Sequence, residues 1–78
     1  MAEDLTNRIT TDPHILGGKP VIRGMRISVE QVLRALASGV PEEDLLRDIP
    51  VLEPEDIRAC LGYAAEVMEQ HGHLAMAR

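Results

Sequence analysis

The apolar positions of this chain fall into runs whose spacing changes along its length. Val29, Val32, Leu33 and Leu36 recur at intervals of three and four residues, the single stripe of an amphipathic helix. Ser28 stands before that stripe with Gln31 three residues on. This is the pattern of a capping box, in which the Ser28 hydroxyl takes the Gln31 amide proton and the Gln31 side chain reaches back. Ile27 and Val32 occupy the positions of a hydrophobic staple, and Gly39 predicts a left-handed stop. Pro41 at a first-turn position, followed by Glu42, Glu43 and Asp44 at the positive end of a helix dipole, predicts a second, shorter helix. Its inward residues would be Leu45, Leu46 and Ile49, and Pro50 ends it. Glu53-Pro54-Glu55-Asp56 opens a third helix, with Ile57, Leu61, Ala64, Ala65 and Met68 on its apolar face and Gly72 at its end.

Upstream of Ser28 the pattern is shorter and β-like. Arg8-Ile9-Thr10-Thr11 has the β-branched content of a short strand, closed by the turn signal Asp12-Pro13. His14-Ile15-Leu16-Gly17-Gly18 reads as a loop with flexible glycines. Val21-Ile22 and Met25-Arg26-Ile27 read as two extended runs about Arg23-Gly24, a tight hairpin turn in which glycine permits positive φ. The predicted organisation is a flexible N-terminus over 1–8, one domain over 9–71 built of a β-hairpin plus three helices, and a flexible tail over 72–78. Its fold class is mainly α, a three-helix cluster of the helix-turn-helix kind preceded by short β-strands or a β-hairpin.

Composition adds an expectation about assembly. A chain of 78 residues buries only ~60–65 % of the surface its unfolded form exposes. Phe and Trp are absent and Tyr63 is the one aromatic, so the core is aliphatic, and a homodimer with a shared core is expected. The single cysteine, Cys60, excludes an internal disulfide and offers no zinc-ligand spacing; it reads as a small buried apolar residue. No run approaches the ~18 apolar residues of a membrane span, and MAEDLTNR is no signal peptide. A cytoplasmic location without membrane contact is the expectation.

Charge directs attention to two segments. The net charge is −5, which argues against holding nucleic acid by bulk electrostatics. The first 34 residues nevertheless carry five cations against four acids, and the remainder three against nine. The stretch GGKPVIRGMRIS, Gly17 to Ser28, holds Lys19, Arg23 and Arg26, the candidate DNA-binding residues, presented on a β-like projection. The third helix, which would enter the major groove in a helix-turn-helix, carries Glu55, Asp56, Glu66 and Glu69 against Arg58, a surface that phosphates repel. The competing reading of the three cations is a solvated face or partners for nearby carboxylates. In the acidic half, Glu42, Glu43, Asp44 and Asp48, with Glu53, Glu55 and Asp56 beyond, are candidate contacts for a basic partner protein, and dipole-matched solvated acids are the plainer account of most of them.

Enzymatic readings find little support. Gly17-Gly18-Lys19 resembles a phosphate loop only in part, since Pro13 stands at the first glycine position and Pro20 replaces the Ser or Thr that would hold magnesium. Asp12 before Pro13 reads as a turn former rather than as an acid–base pair with His14. His71 and His73 lack further metal ligands nearby in sequence. No catalytic residue, cofactor or metal is expected.

One resemblance covers most of the chain. Gly17-Gly18-Lys19-Pro20-Val21-Ile22-Arg23-Gly24, then Arg26-Ile27, Leu36-Ala37-Ser38-Gly39 and Glu55-Asp56-Ile57-Arg58-Ala59 resemble the bacterial family catalogued as domain of unknown function 433, from about Ile9 to Glu66. Met25 stands where that family often has Thr, and Leu16 where it often has Cys. The resemblance implies a homeodomain-like fold and a role as a VapB-type antitoxin, with a PIN-like ribonuclease toxin as partner and the operon's own double-stranded promoter as DNA target. The expected function is a non-enzymatic, antitoxin-like module of a toxin–antitoxin pair, binding promoter DNA, the ribonuclease, or both. The alternative is a structural dimerisation or protein-interaction module that binds no DNA.

Overall fold

The structure is a computed structural model and describes residues 5–71. Its elements, in order, are a 3₁₀ turn Thr6–Arg8, strand β1 (Ile9–Thr10), a second 3₁₀ turn Leu16–Gly18, strand β2 (Val21–Ile22) and three helices. These are α1 (Val29–Ala37), α2 (Glu42–Asp48) and α3 (Pro54–His71). Mainly helical architecture with a short two-stranded sheet ahead of three helices is therefore correct. Thr6–Arg8, read as part of the loose N-terminus, instead form a turn closed by the Arg8 N–H on Leu5 O at 3.0 Å. The tail over 72–78, including the Gly72 stop and His73, lies outside the described residues.

The strand Arg8–Thr11 was expected, but its partner was not. β1 pairs antiparallel with β2, with Ile9 opposite Ile22 and Thr10 opposite Val21. The turn at Arg23-Gly24 forms: φ is +49° at Arg23 and +71° at Gly24, and Met25 N–H donates to Ile22 O at 2.8 Å. Two central residues at positive φ match the right-handed twist of the flanking chain. The second arm contributes only the Ile22 N–H bond to Ile27 O at 3.0 Å and a bridge between Val21 and Ser28. Met25–Ile27 is thus not a strand, because helix α1 begins at once and draws the chain away.

α1 starts as its sequence directs. Gln31 N–H donates to the Ser28 hydroxyl at 2.9 Å, satisfying one of the four orphan donors of the first turn, and Val29 N–H finds Pro20 O at 3.0 Å. The return bond from the Gln31 side chain is not made. At the other end Gly39 takes φ +95°, with Val40 N–H on Ala35 O and Gly39 N–H on Leu36 O, the paired bonds of a Schellman stop. Pro41 serves as the cap of α2 rather than as its first helical residue; its carbonyl accepts from Asp44 and Leu45 N–H.

Ile22, Val29, Val32, Leu45, Leu52, Ile57 and Cys60 form the buried core, and Ile9, Ile27, Leu33 and Tyr63 pack against it. The predicted inward face of α3 needs correction. Ile57 is buried and Ala64 half-buried, but Leu61, Ala65 and Met68 are exposed; the buried positions are Asp56, Ile57, Ala59 and Cys60. The helix is rotated by about one residue from the apolar stripe of its sequence, because the carboxylate of Asp56 is drawn inside.

Candidate functional site: an internal arginine clamp and an exposed helix face

Asp56 is the one fully buried charge among the described residues, at 0 % exposure. Pro54 is the first residue of α3, so Asp56 is the third, where a side chain reaches back to the cap. Its Oδ2 accepts the Glu53 N–H at 2.9 Å, the return half of a capping box. Arg23 grips the carboxylate with two donors, Nε to Oδ1 at 3.0 Å and Nη2 to Oδ2 at 2.7 Å, and also donates Nη2 to Val51 O at 2.8 Å. Arg8 Nη1 reaches Asp56 Oδ1 at 2.9 Å and Glu53 Oε1 at 2.8 Å. This planar, bidentate geometry suits guanidinium and would not survive exchange for lysine.

The clamp joins three parts of the chain that are far apart in sequence. The positive φ of Arg23 aims its side chain from the β2 turn toward the start of α3, and the 3₁₀ turn delivers Arg8 beside it. Burial works to raise the Asp56 pKa, but the hydrogen bonds from Arg23, Glu53 N–H and Arg8 together hold it below the usual carboxylate range. No buried side-chain polar atom among the described residues lacks a partner.

The other candidate cations stand on the surface. Lys19 donates Nζ to Glu30 Oε1 at 3.2 Å, and Arg34 Nε donates to the second oxygen of the same carboxylate at 3.0 Å. The bonds from Arg34 and Lys19 lower the Glu30 pKa. Arg26 is exposed and makes no ion pair among the described residues. The three residues proposed for DNA are therefore not equivalent: Arg23 faces Asp56, Lys19 faces Glu30, and Arg26 faces solvent.

On α2, Glu42, Glu43 and Asp48 are exposed and Asp44 is half-exposed. Arg47 binds Asp44 at 2.9 Å and lies 3.9 Å from Asp48, leaving a net acidic surface. Asp12 accepts the His14 N–H at 2.8 Å, which is the turn role expected of it. Cys60 is fully buried, and burial pushes its thiol up to about 11. No group of three or more His, Cys, Asp or Glu among the described residues is arranged to hold a metal. No helix among them is long and apolar enough to cross a membrane.

Two apolar features remain open. α1 has 9 residues and α3 has 18, so α3 outlasts its partner by roughly 13 Å. Along the length of α1, Val29, Leu33 and Ala37 face Tyr63, Ala64 and Val67 of α3 across a groove of about 470 Å³, with Met68 among its walls. Beside it runs the stripe Leu61, Ala65, Met68; Leu61 is 49 % and Met68 52 % exposed.

Sequence reasoning passed over Arg8 and read Asp56 as a surface acid that could face a basic partner, whereas the structure buries it against Arg23 and Arg8. The available signal was an acid at the third position of a helix whose cap residue, Glu53, is a poor cap: an Asp there can close the helix from inside.

Fold and clamp together define a small, mainly helical module whose charged residues largely serve its own architecture. The chain belongs to the protein family of unknown function DUF433, which matches residues 9–64. Over 56 residues, 72 % of this chain, it is 43 % identical to the uncharacterized protein y4eO of Sinorhizobium fredii, and the match spans about a quarter (25 %) of that relative's length. The crystal structure of a DUF433 member from Anabaena variabilis superposes with a TM-score of 0.76 at 32 % identity, covering 95 % of this chain and 72 % of that one.

Proposed function

We propose that this chain is a non-enzymatic, antitoxin-like protein-binding module, homeodomain-like in the arrangement of its helices, working as a homodimer and using the acidic face of α2 to bind a basic partner of the PIN-like ribonuclease kind. The supporting observation is the distribution of exposed charge. Glu42, Glu43 and Asp48 remain open to solvent, while Arg23 is engaged by Asp56 and Lys19 by Glu30. Acids around a binding face steer a basic partner and set its register. Promoter binding is the weaker branch of the antitoxin reading, because Arg26 is the one member of the proposed DNA triad left without a carboxylate among the described residues. The antitoxin role itself is carried over from the family resemblance. Co-expression with the product of the neighbouring gene tests the reading. The expected outcome is a complex that survives purification and is lost when Glu42, Glu43 and Asp48 are all changed to Lys. A ribonuclease that always elutes without this chain would refute it.

A further inference from the structure

The stripe Leu61, Ala65, Met68 repeats at four and three residues along the outer side of α3, and the fold leaves it uncovered. Leu61 and Met68 are each about half exposed, at 49 % and 52 %. We infer that this stripe is the homodimer interface, with α3 packing antiparallel against α3 of a second copy. The inference rests on the dimeric reading above and adds the surface and its polarity.

Spacing and charge argue for the antiparallel sense. About an axis between Ala64 and Ala65, Leu61 of each copy meets Met68 of the other. Ala64 and Ala65 lie at the crossing, where their small side chains let the backbones approach. Arg58 lies one turn before Leu61, and Glu69 directly follows Met68. An antiparallel pair brings Arg58 and Glu69 of the second copy to the same side of the seam and to similar heights, whereas a parallel pair keeps them roughly 16 Å apart along the axis. The contact is isologous, so each complementary pair occurs twice. Met68 also lines the groove between α1 and α3, and a helix laid on the stripe closes the open side of that groove.

Sedimentation velocity across a concentration series tests this. The full chain is expected to dimerise, and Leu61→Glu and Met68→Glu each to weaken the dimer about a hundredfold through an uncompensated carboxylate in the interface. Because both side chains are half exposed in the single chain, far-UV circular dichroism of the variants should match the wild type. Arg58→Glu should weaken the dimer severalfold, and the double variant Arg58→Glu, Glu69→Arg should restore it; this rescue reads polarity even if a stripe variant folds poorly. A dimer undiminished in both stripe variants, or a double variant no better than Arg58→Glu alone, would overturn the α3 interface while leaving dimerisation standing. A wild-type chain that stays monomeric would overturn both.

Discussion

Replacing Asp56 by Asn tests the clamp on which the fold's geometry depends. Asn keeps the shape and one acceptor oxygen, so the change removes charge and one lone-pair set rather than volume. Wild-type Asp56 accepts four donors: Arg23 Nε and Nη2, Arg8 Nη1 and Glu53 N–H. Removing one partner of a buried ion pair ordinarily costs ~3–5 kcal/mol. Here the side chains of Arg8 and Arg23 are 21 % and 37 % exposed and recover part of their hydration, so the expected loss is about 2–3 kcal/mol. A domain of this size has a stability of roughly 4–12 kcal/mol, and the corresponding fall in Tm is about 10–20 °C. The assay is urea and thermal unfolding followed by far-UV circular dichroism at fixed chain concentration. Since the folded Asp56 pKa lies below its unfolded value near ~4, its contribution is complete above that value and drains away as pH falls through the folded one. The gap between wild type and Asp56→Asn should therefore be wide at neutral pH and close in acid. A loss below about 1 kcal/mol, comparable to a surface pair, or a gap independent of pH, would refute the reasoning.

Glycine substitutions on the two sides of the molecule should act in opposite directions. Gly24→Ala, at φ +71° with open space around a new Cβ, is expected to destabilise by roughly 1–2 kcal/mol through backbone strain alone. Gly62→Ala, inside α3 and also unobstructed, should stabilise by about 0.5–1 kcal/mol; urea midpoints read both. Ser28→Ala removes the α1 cap and should cost about 1 kcal/mol by the same measurement, with the helix otherwise retained. Cys60, buried and with its thiol pushed to about 11, should resist a thiol-specific reagent in the native protein at neutral pH and react at once in denaturant.

How much of this was legible in the sequence depends on the range of the interaction. Ser28, Gly39 and the Arg23-Gly24 turn act over a few residues, so each could be read from its neighbours and each formed. The strand partner was misjudged because Val21-Ile22 has two candidate partners, Ile9-Thr10 and Met25–Ile27, and the start of α1 at Ser28 decides between them. The phase of α3 was misjudged for a different reason. A stripe drawn through Leu61, Ala65 and Met68 treats Asp56 as surface, but two arginines make its burial favourable and turn the helix with it. Those arginines lie 33 and 48 residues from Asp56, and nothing local distinguishes a cation that will reach a carboxylate from one that will reach a phosphate. For that reason Lys19, Arg23 and Arg26 looked alike in sequence and diverge in the fold.

The divergence also bears on function. A surface that retains its acids on α2 and holds Arg23 against Asp56 favours protein contact over phosphate contact, and an uncovered stripe on α3 favours a second copy as one of those contacts. The antitoxin reading then needs no enzymatic group on this chain: it needs a rigid α2 face, held in place through Leu45 in the core and by the Schellman stop at Gly39.

The most direct test is a titration of the proposed partner, a PIN-like ribonuclease, with this chain, following RNA cleavage. Activity is expected to fall to background near one chain per ribonuclease chain, and reversing Glu42, Glu43 and Asp48 to abolish the inhibition. Full ribonuclease activity in the presence of roughly tenfold excess chain, with the same preparation retarding promoter DNA, would contradict the antitoxin reading.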